Sequence, residues 1–173
     1  HLARHQDRLE ELVRERTREI QAEIQRHKET QQQLEKEKDR ALTYFDIAGS
    51  ILVVIDPSGI VSMINHAGCR MLGCPKNQII GKNWFDHFVP ESDREKIRQT
   101  FDRIMSNHLE PFEFFENEIL TSNGETRTVS WHNSLIRDED GTILASLSSG
   151  EDTTDATLME RERQQFQDQL AQA

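Results

Sequence analysis

Residues 1–44 contain neither glycine nor proline and are rich in Glu, Arg, Gln, Lys and Leu. A stretch of that length without a backbone breaker, built from strong helix formers, is expected to be one long helix. Apolar residues thread it at three- and four-residue steps: Leu9, Val13, Ile20, Ile24, Leu34, Ala41 and Phe45. From Val13 the positions 13, 17, 20, 24, 27, 31, 34, 38, 41 and 45 form an unbroken heptad ladder. Four of its rungs, Thr17, His27, Gln31 and Lys38, are polar, and the steps Leu9 to Val13 to Thr17 break the phase in the manner of a stutter. A seam this narrow needs a second helix to bury it, so a parallel homodimer is expected. The polar rungs leave two readings open, a plain dimerisation stalk or a stalk poised between packings.

Charge separates this segment from the rest. Residues 1–40 hold ten of the 21 Lys+Arg and ten of the 31 Asp+Glu, leaving eleven against twenty-one beyond them. The whole net charge of −10 therefore sits after the helix. An acidic body argues against nucleic-acid binding, which needs basic patches to displace counterions. No apolar run approaches the roughly 20 residues of a membrane span. Beginning at His1, the chain is expected to be part of a longer protein, cytoplasmic or the cytosolic part of an inner-membrane protein. Cys69 and Cys74 are too few for a disulfide framework or a zinc site, and no metal site is expected.

Residues 46–152 read as an α+β domain. "ILVVIDPSGIVSMIN" (51–65) is two apolar runs joined by Asp56-Pro57-Ser58-Gly59, a hairpin signal. Gly and Pro break the next stretch into short helical pieces, with Asn65 a candidate N-cap and Pro75 fitting a first helical turn. Ser92 and Glu95 have capping-box spacing before a longer helix whose apolar face is Ile97, Phe101, Ile104 and Met105. Three strands follow, at about 112–121, 126–136 and 143–152, with turns at Ser122-Asn123-Gly124 and Asp138-Glu139-Asp140-Gly141. The first hairpin has to join them in one antiparallel sheet of five strands, because a lone hairpin is unstable in water. Residues 153–173 form an exit helix with a thin apolar seam of Met159, Phe166 and Leu170.

The segments "IDPSGIVSMINHAG", "GKNWFDHFVPESDREKI", "SNGETRTVSWHNSLIRDEDGTI" and "GEDTT", in this order, resemble a PAS domain of a bacterial sensor histidine kinase. "LEELVRERTREIQAEIQ" is similar to linkers that lead into such domains, and "QQFQDQLAQA" to the helix before a phospho-acceptor domain. The resemblance implies three parts: an N-terminal coiled-coil signalling helix (1–45), the PAS domain (46–152) with short helices on one sheet face, and an output linker helix (153–173). It implies a module without enzymatic activity of its own, in a homodimer held by the N- and C-terminal helices. That module would detect or relay a signal to a downstream kinase domain in the same chain. A diguanylate cyclase in place of the kinase is the alternative output.

In this family the last strand feeds the output helix directly. Asp152 and Thr154 match the family's junction residues, with Arg127 a candidate partner, although either could simply cap the helix. Thr153 stands where Ile or Val is more usual. Alignment with the PAS sheet implies a candidate ligand pocket of Val53, Met71, Trp84, Phe85, Phe115, Asn117, Ile119, Val129, Trp131 and Asn133. Its mix of apolar and few polar groups suits a small molecule; a core filled by Trp84 and Trp131 is the competing reading. "GKNW" puts Trp84 where light-sensing flavin domains of the family carry a reactive cysteine, and Ile97 falls near the axial histidine of haem-binding members. Both departures argue against those cofactors. A non-covalent flavin or another redox or light cofactor remains the alternative to a ligand-free relay.

Overall fold

The computed structural model describes residues 2–172. The order of elements is α1 (Leu2–Ile47), β1 (Ile51–Ile55), β2 (Val61–Ile64), α2 (His66–Leu72), α3 (Lys76–Ile79), α4 (Trp84–Phe88) and α5 (Glu91–Met105), followed after a 3-10 turn (Glu110–Phe112) by β3 (Phe114–Leu120), β4 (Thr126–Arg137), β5 (Ile143–Asp152) and α6 (Thr154–Gln172). The chain falls into two units that divide between Tyr44 and Phe45.

In the first unit, α1 runs without a break. Its seam faces solvent, with Leu9, Val13, Ile20, Ile24 and Leu34 all exposed. Thr17 and Thr30 turn their hydroxyls back onto the carbonyls of Val13 and Arg26, at 2.7 and 2.9 Å, so neither breaks the helix. No helix among the described residues is long and apolar enough to cross a membrane.

The second unit is built on a five-stranded antiparallel sheet in the order β2-β1-β5-β4-β3. Its turns follow from side-chain chemistry. The Asp56 carboxylate accepts from the amides of Ser58 (2.8 Å) and Ile60 (3.0 Å), and Asp138 does the same for Asp140 (3.0 Å) and Thr142 (2.8 Å). Each closes on a glycine with positive φ, Gly59 at 84° and Gly141 at 83°, a region that costs other residues energy. Asp138 is thus a turn-builder within the acidic cluster 138–140.

The helices cover one face of the sheet. Inward residues alternate along the strands, and Val53, Ile55, Ile64, Ile119, Val129 and Trp131 meet Leu72, Ile79, Trp84, Phe85, Val89 and Phe101 in one core. Asn65 joins sheet to helix. Fully buried, it accepts the amides of Leu52 (2.9 Å) and Gly68 (3.0 Å) on Oδ1 and donates from Nδ2 to the Ser50 carbonyl (2.9 Å). It is therefore both the N-cap of α2 and a substitute rung for β1. Pro75 sits one position before α3 as its N-cap residue. Ser92 and Glu95 do not form the expected capping box. α5 starts at Glu91 after Pro90, whose fixed φ suits a helix start, and Glu95 instead accepts from Gln99 Nε2 at 2.8 Å.

Replacing buried Asn65 with Ala strands three backbone partners, of which the Gly68 amide is buried, and removes a cap. A loss of about 3 kcal/mol is expected, read as a fall in Tm by thermal denaturation. A neutral result would mean that water replaces the amide.

Candidate functional site

A cavity of about 60 Å³ lies between the sheet and α4 and α5. Its walls are largely aromatic. Trp84 and Trp131 meet edge to face with centroids 5.9 Å apart, and Phe85 packs on Phe101 at 5.1 Å. α4 is latched over it by α5. Arg94 Nε donates to the Phe85 carbonyl (3.0 Å), while the Arg98 guanidinium holds Asp86 (2.7 Å) and lies 5.4 Å from the Phe85 ring centroid. Four polar side chains line the cavity, and one of them, Thr100, donates its hydroxyl to the Lys96 carbonyl at 3.1 Å. Asn133 donates to the Phe112 carbonyl and accepts from Ser148 Oγ, at 2.8 and 2.7 Å, so these two are already satisfied. Asn117 donates one Nδ2 hydrogen to the Glu118 carbonyl at 2.8 Å, which leaves its amide oxygen and second amide hydrogen for other partners.

Seven of the ten residues expected at a pocket line this cavity: Val53, Trp84, Phe85, Phe115, Asn117, Trp131 and Asn133. Met71, Ile119 and Val129 do not. Ile119 and Val129 are fully buried in the core, and Met71 is half-buried against it on α2. Ser122 N–H donates to the Leu72 carbonyl (2.8 Å), which seats the β3–β4 turn against the end of α2 and closes that part of the sheet with side chains. Sequence reasoning missed the wall from α5, where Ile97, Thr100, Phe101 and Ile104 line the cavity. The signal was present in their three- and four-residue spacing, which puts all four on one helix face.

Cys69 and Cys74 lie outside the cavity as free thiols, and burial pushes the pKa of both up. They are poor nucleophiles near neutral pH. Among the described residues no cluster of three or more His, Cys, Asp or Glu could hold a metal ion.

The second feature is the end of β5. The β4–β5 ladder closes with Val129 opposite Asp152, and the chain enters α6 two residues later. Side chains carry the pairing past the last rung. Thr153 N–H donates to the Thr128 carbonyl (2.9 Å), and Thr128 N–H donates to Thr154 Oγ1 (2.9 Å). The Thr154 hydroxyl in turn donates to Asp152 Oδ1, which also accepts the Thr154 amide at 3.0 Å. Arg127 Nη1 stands 3.6 Å from Asp152 Oδ2, and Thr153 Oγ1 reaches Glu116 Oε2 on β3 at 3.2 Å. Asp152 and Arg127 keep 35% and 40% of their side-chain surface in solvent, so the ion pair contributes at most about 1 kcal/mol. Hydrogen bonds to the Thr128 backbone, on a buried residue, matter more. Asp152 thus caps the helix and faces Arg127 together, so the two readings of the sequence are one structure.

A five-stranded sheet with helices over one face, a small cavity beneath them and a last strand that passes directly into an exit helix together define the architecture. Residues 45–158 match the PAS fold family, and the chain belongs to it. Solved structures agree in fold. The PAS domain of an HTR-like protein from Haloarcula marismortui is 20% identical, with a TM-score of 0.58 over 72% of this chain and 98% of that one. The PAS domain of the RpfR quorum-sensing receptor from Cronobacter turicensis is 23% identical, with a TM-score of 0.50 over 62% and 96%. A PAS domain from a two-component sensor histidine kinase is 19% identical, with a TM-score of 0.51 over 68% and 97%. No curated protein sequence matches the chain.

Thr154→Val keeps the side-chain shape and removes the acceptor from Thr128 N–H. Hydrogen exchange of the Thr128 amide is expected to speed up by roughly tenfold, with Thr154→Ser near the original rate. An unchanged rate in the valine variant would show that the hydroxyl does not hold the junction.

Proposed function

We propose that this chain is the sensory module of a two-component sensor histidine kinase. In this reading it acts as a parallel homodimer through α1 and α6. Its input is a small molecule in the cavity or a shift of α1, and its output is a change in the packing of the α6 helices passed to a downstream kinase domain.

One observation supports this most directly. Ser148 lines the cavity, and Asp152, on the same face of the same strand, holds the start of α6. The two are about 13 Å apart at roughly 3.3 Å per residue, with no loop between them to absorb a displacement. A ligand can shift the balance of states only by its difference in affinity between them, so the cavity has to differ in shape or polarity between the two packings.

Cavity size narrows the ligand. Sites for drug-sized molecules measure roughly 300–1,000 Å³, against about 60 Å³ here. That size favours a small guest over a flavin or another large planar cofactor. The RpfR PAS domain was solved in complex with BDSF. For this chain the cavity favours a guest of a few heavy atoms, mostly apolar, with one hydroxyl or amine hydrogen facing the Asn117 amide oxygen.

Two measurements test the reading. Native mass spectra should show a dimer, and mass beyond two chains would begin to identify the ligand; a monomer would count against the stalk. In the full-length protein, Asp152→Ala and Thr154→Ala are expected to change regulated autophosphorylation several-fold while Tm falls by only a few degrees. Regulation unaltered in both variants would sink the proposed output route.

A further inference from the structure

The Trp131 ring lies on Gly150. The two residues are directly opposite in the β4–β5 ladder, and both face the helices. A Cβ built on Gly150 would stand 2.6 Å from Trp131 Cζ3 and 2.8 Å from Cε3, with Val129 Cγ1 also at 2.8 Å. Contacts that short do not occur, so the six-membered edge of the indole occupies the space where any other residue carries its first side-chain atom. Gly150 is not among the glycines of positive φ. It provides room rather than an unusual backbone.

The same ring also lines the cavity, where it meets Trp84 edge to face. Trp131 therefore touches both the guest space and bare backbone. It is buried and in contact with the backbone of β5 at Gly150, and a close-packed core passes a push on the ring to what the ring touches. Two residues beyond Gly150 on the same face is Asp152, whose carboxylate holds the Thr154 amide and hydroxyl. Val129, the other side chain against Gly150, is the residue opposite Asp152.

We infer that Trp131 is the positioning residue that carries occupancy of the cavity to the exit helix, by pressing its ring on the backbone of β5 at Gly150. The inference rests on the small-molecule reading above and adds its route. A guest beside Trp84 moves the indole, the indole moves Gly150, and the short rigid stretch to Asp152 moves the hydrogen bonds that start α6. Bulk at position 150 imitates a ring that has been pushed, and a smaller ring at position 131 removes the contact.

The test is a double-mutant cycle on the ligand-free 173-residue chain, read by hydrogen exchange at the Thr128 and Thr153 amides. The Asn65 amide, bonded to the Leu52 carbonyl, reports on the fold. Gly150→Ala is expected to speed exchange at both junction amides by about tenfold while Asn65 stays protected. In a Trp131→Phe background the same change should have an effect of less than about threefold. Equal effects in the two backgrounds, or wild-type rates in Gly150→Ala, would overturn the inference. Xenon, which enters dry apolar cavities, supplies a second measurement should Gly150→Ala fail to fold. Under xenon pressure the wild-type amide spectrum is expected to shift at Val53 and Asn117 and also at Thr153 and Thr154. Trp131→Phe should keep the first pair of shifts and lose most of the second. Junction shifts of undiminished size in that variant would overturn the inference. No xenon shift at Val53 or Asn117 would count instead against the small-molecule reading, which the ligand-free cycle does not depend on.

Discussion

β5 is the strand on which the rest of the domain depends. It pairs with β1 on one side and with β4 on the other, and so joins the hairpin at the start of the domain to the three-strand meander at its end. Without those ladders the β1–β2 hairpin would be an isolated pair, unstable in water. The same strand carries Ser148 to the cavity, Gly150 to the Trp131 ring and Asp152 to the start of α6. One backbone, hydrogen-bonded on both sides, links the cavity wall to the start of α6.

The cavity is a small defect in a core that is otherwise filled. Trp84 and Trp131 meet edge to face on its wall, and Ser148 donates to its ladder partner Asn133 there. A core at close-packed density transmits displacement, because little void is left to absorb it. A small guest in a stiff surround can move the wall more than a large guest in a loose one.

The junction works by a change of bonding partner. Where the β4–β5 ladder runs out, the Thr128 amide would be left without an acceptor, and Thr154 Oγ1 provides one. Asp152 then takes the hydroxyl proton and the first helical amide together. Thr153, in the place where the family usually has Ile or Val, adds a bond to Glu116 and so draws β3 into the same cluster. Each of these bonds contributes about 1 kcal/mol, and together they define one arrangement of strand end and helix start.

Much of this was legible in the linear chain. The absence of Gly and Pro determined α1, since nothing in residues 1–44 interrupts a helix. The Asp-x-x-Gly pattern at 56–59 and again at 138–141 determined two turns through local hydrogen bonds, which need no distant partner. Period-two patterning then indicated which strand residues face the core, and the resemblance of "GEDTT" to the PAS family's closing motif marked Asp152 and Thr154 as the junction. What only the tertiary structure decided depends on residues far apart in sequence. Which core-facing residues line a cavity and which merely fill the core turns on the gap between α5 and the sheet, so Ile119 and Val129 went one way and Phe101 and Ile104 the other. The start of α5 moved to Pro90 because a fixed φ there suits a helix start better than a capping box two residues on. The role of Gly150 was invisible in sequence, since its lack of a side chain has meaning only against the Trp131 ring across the ladder.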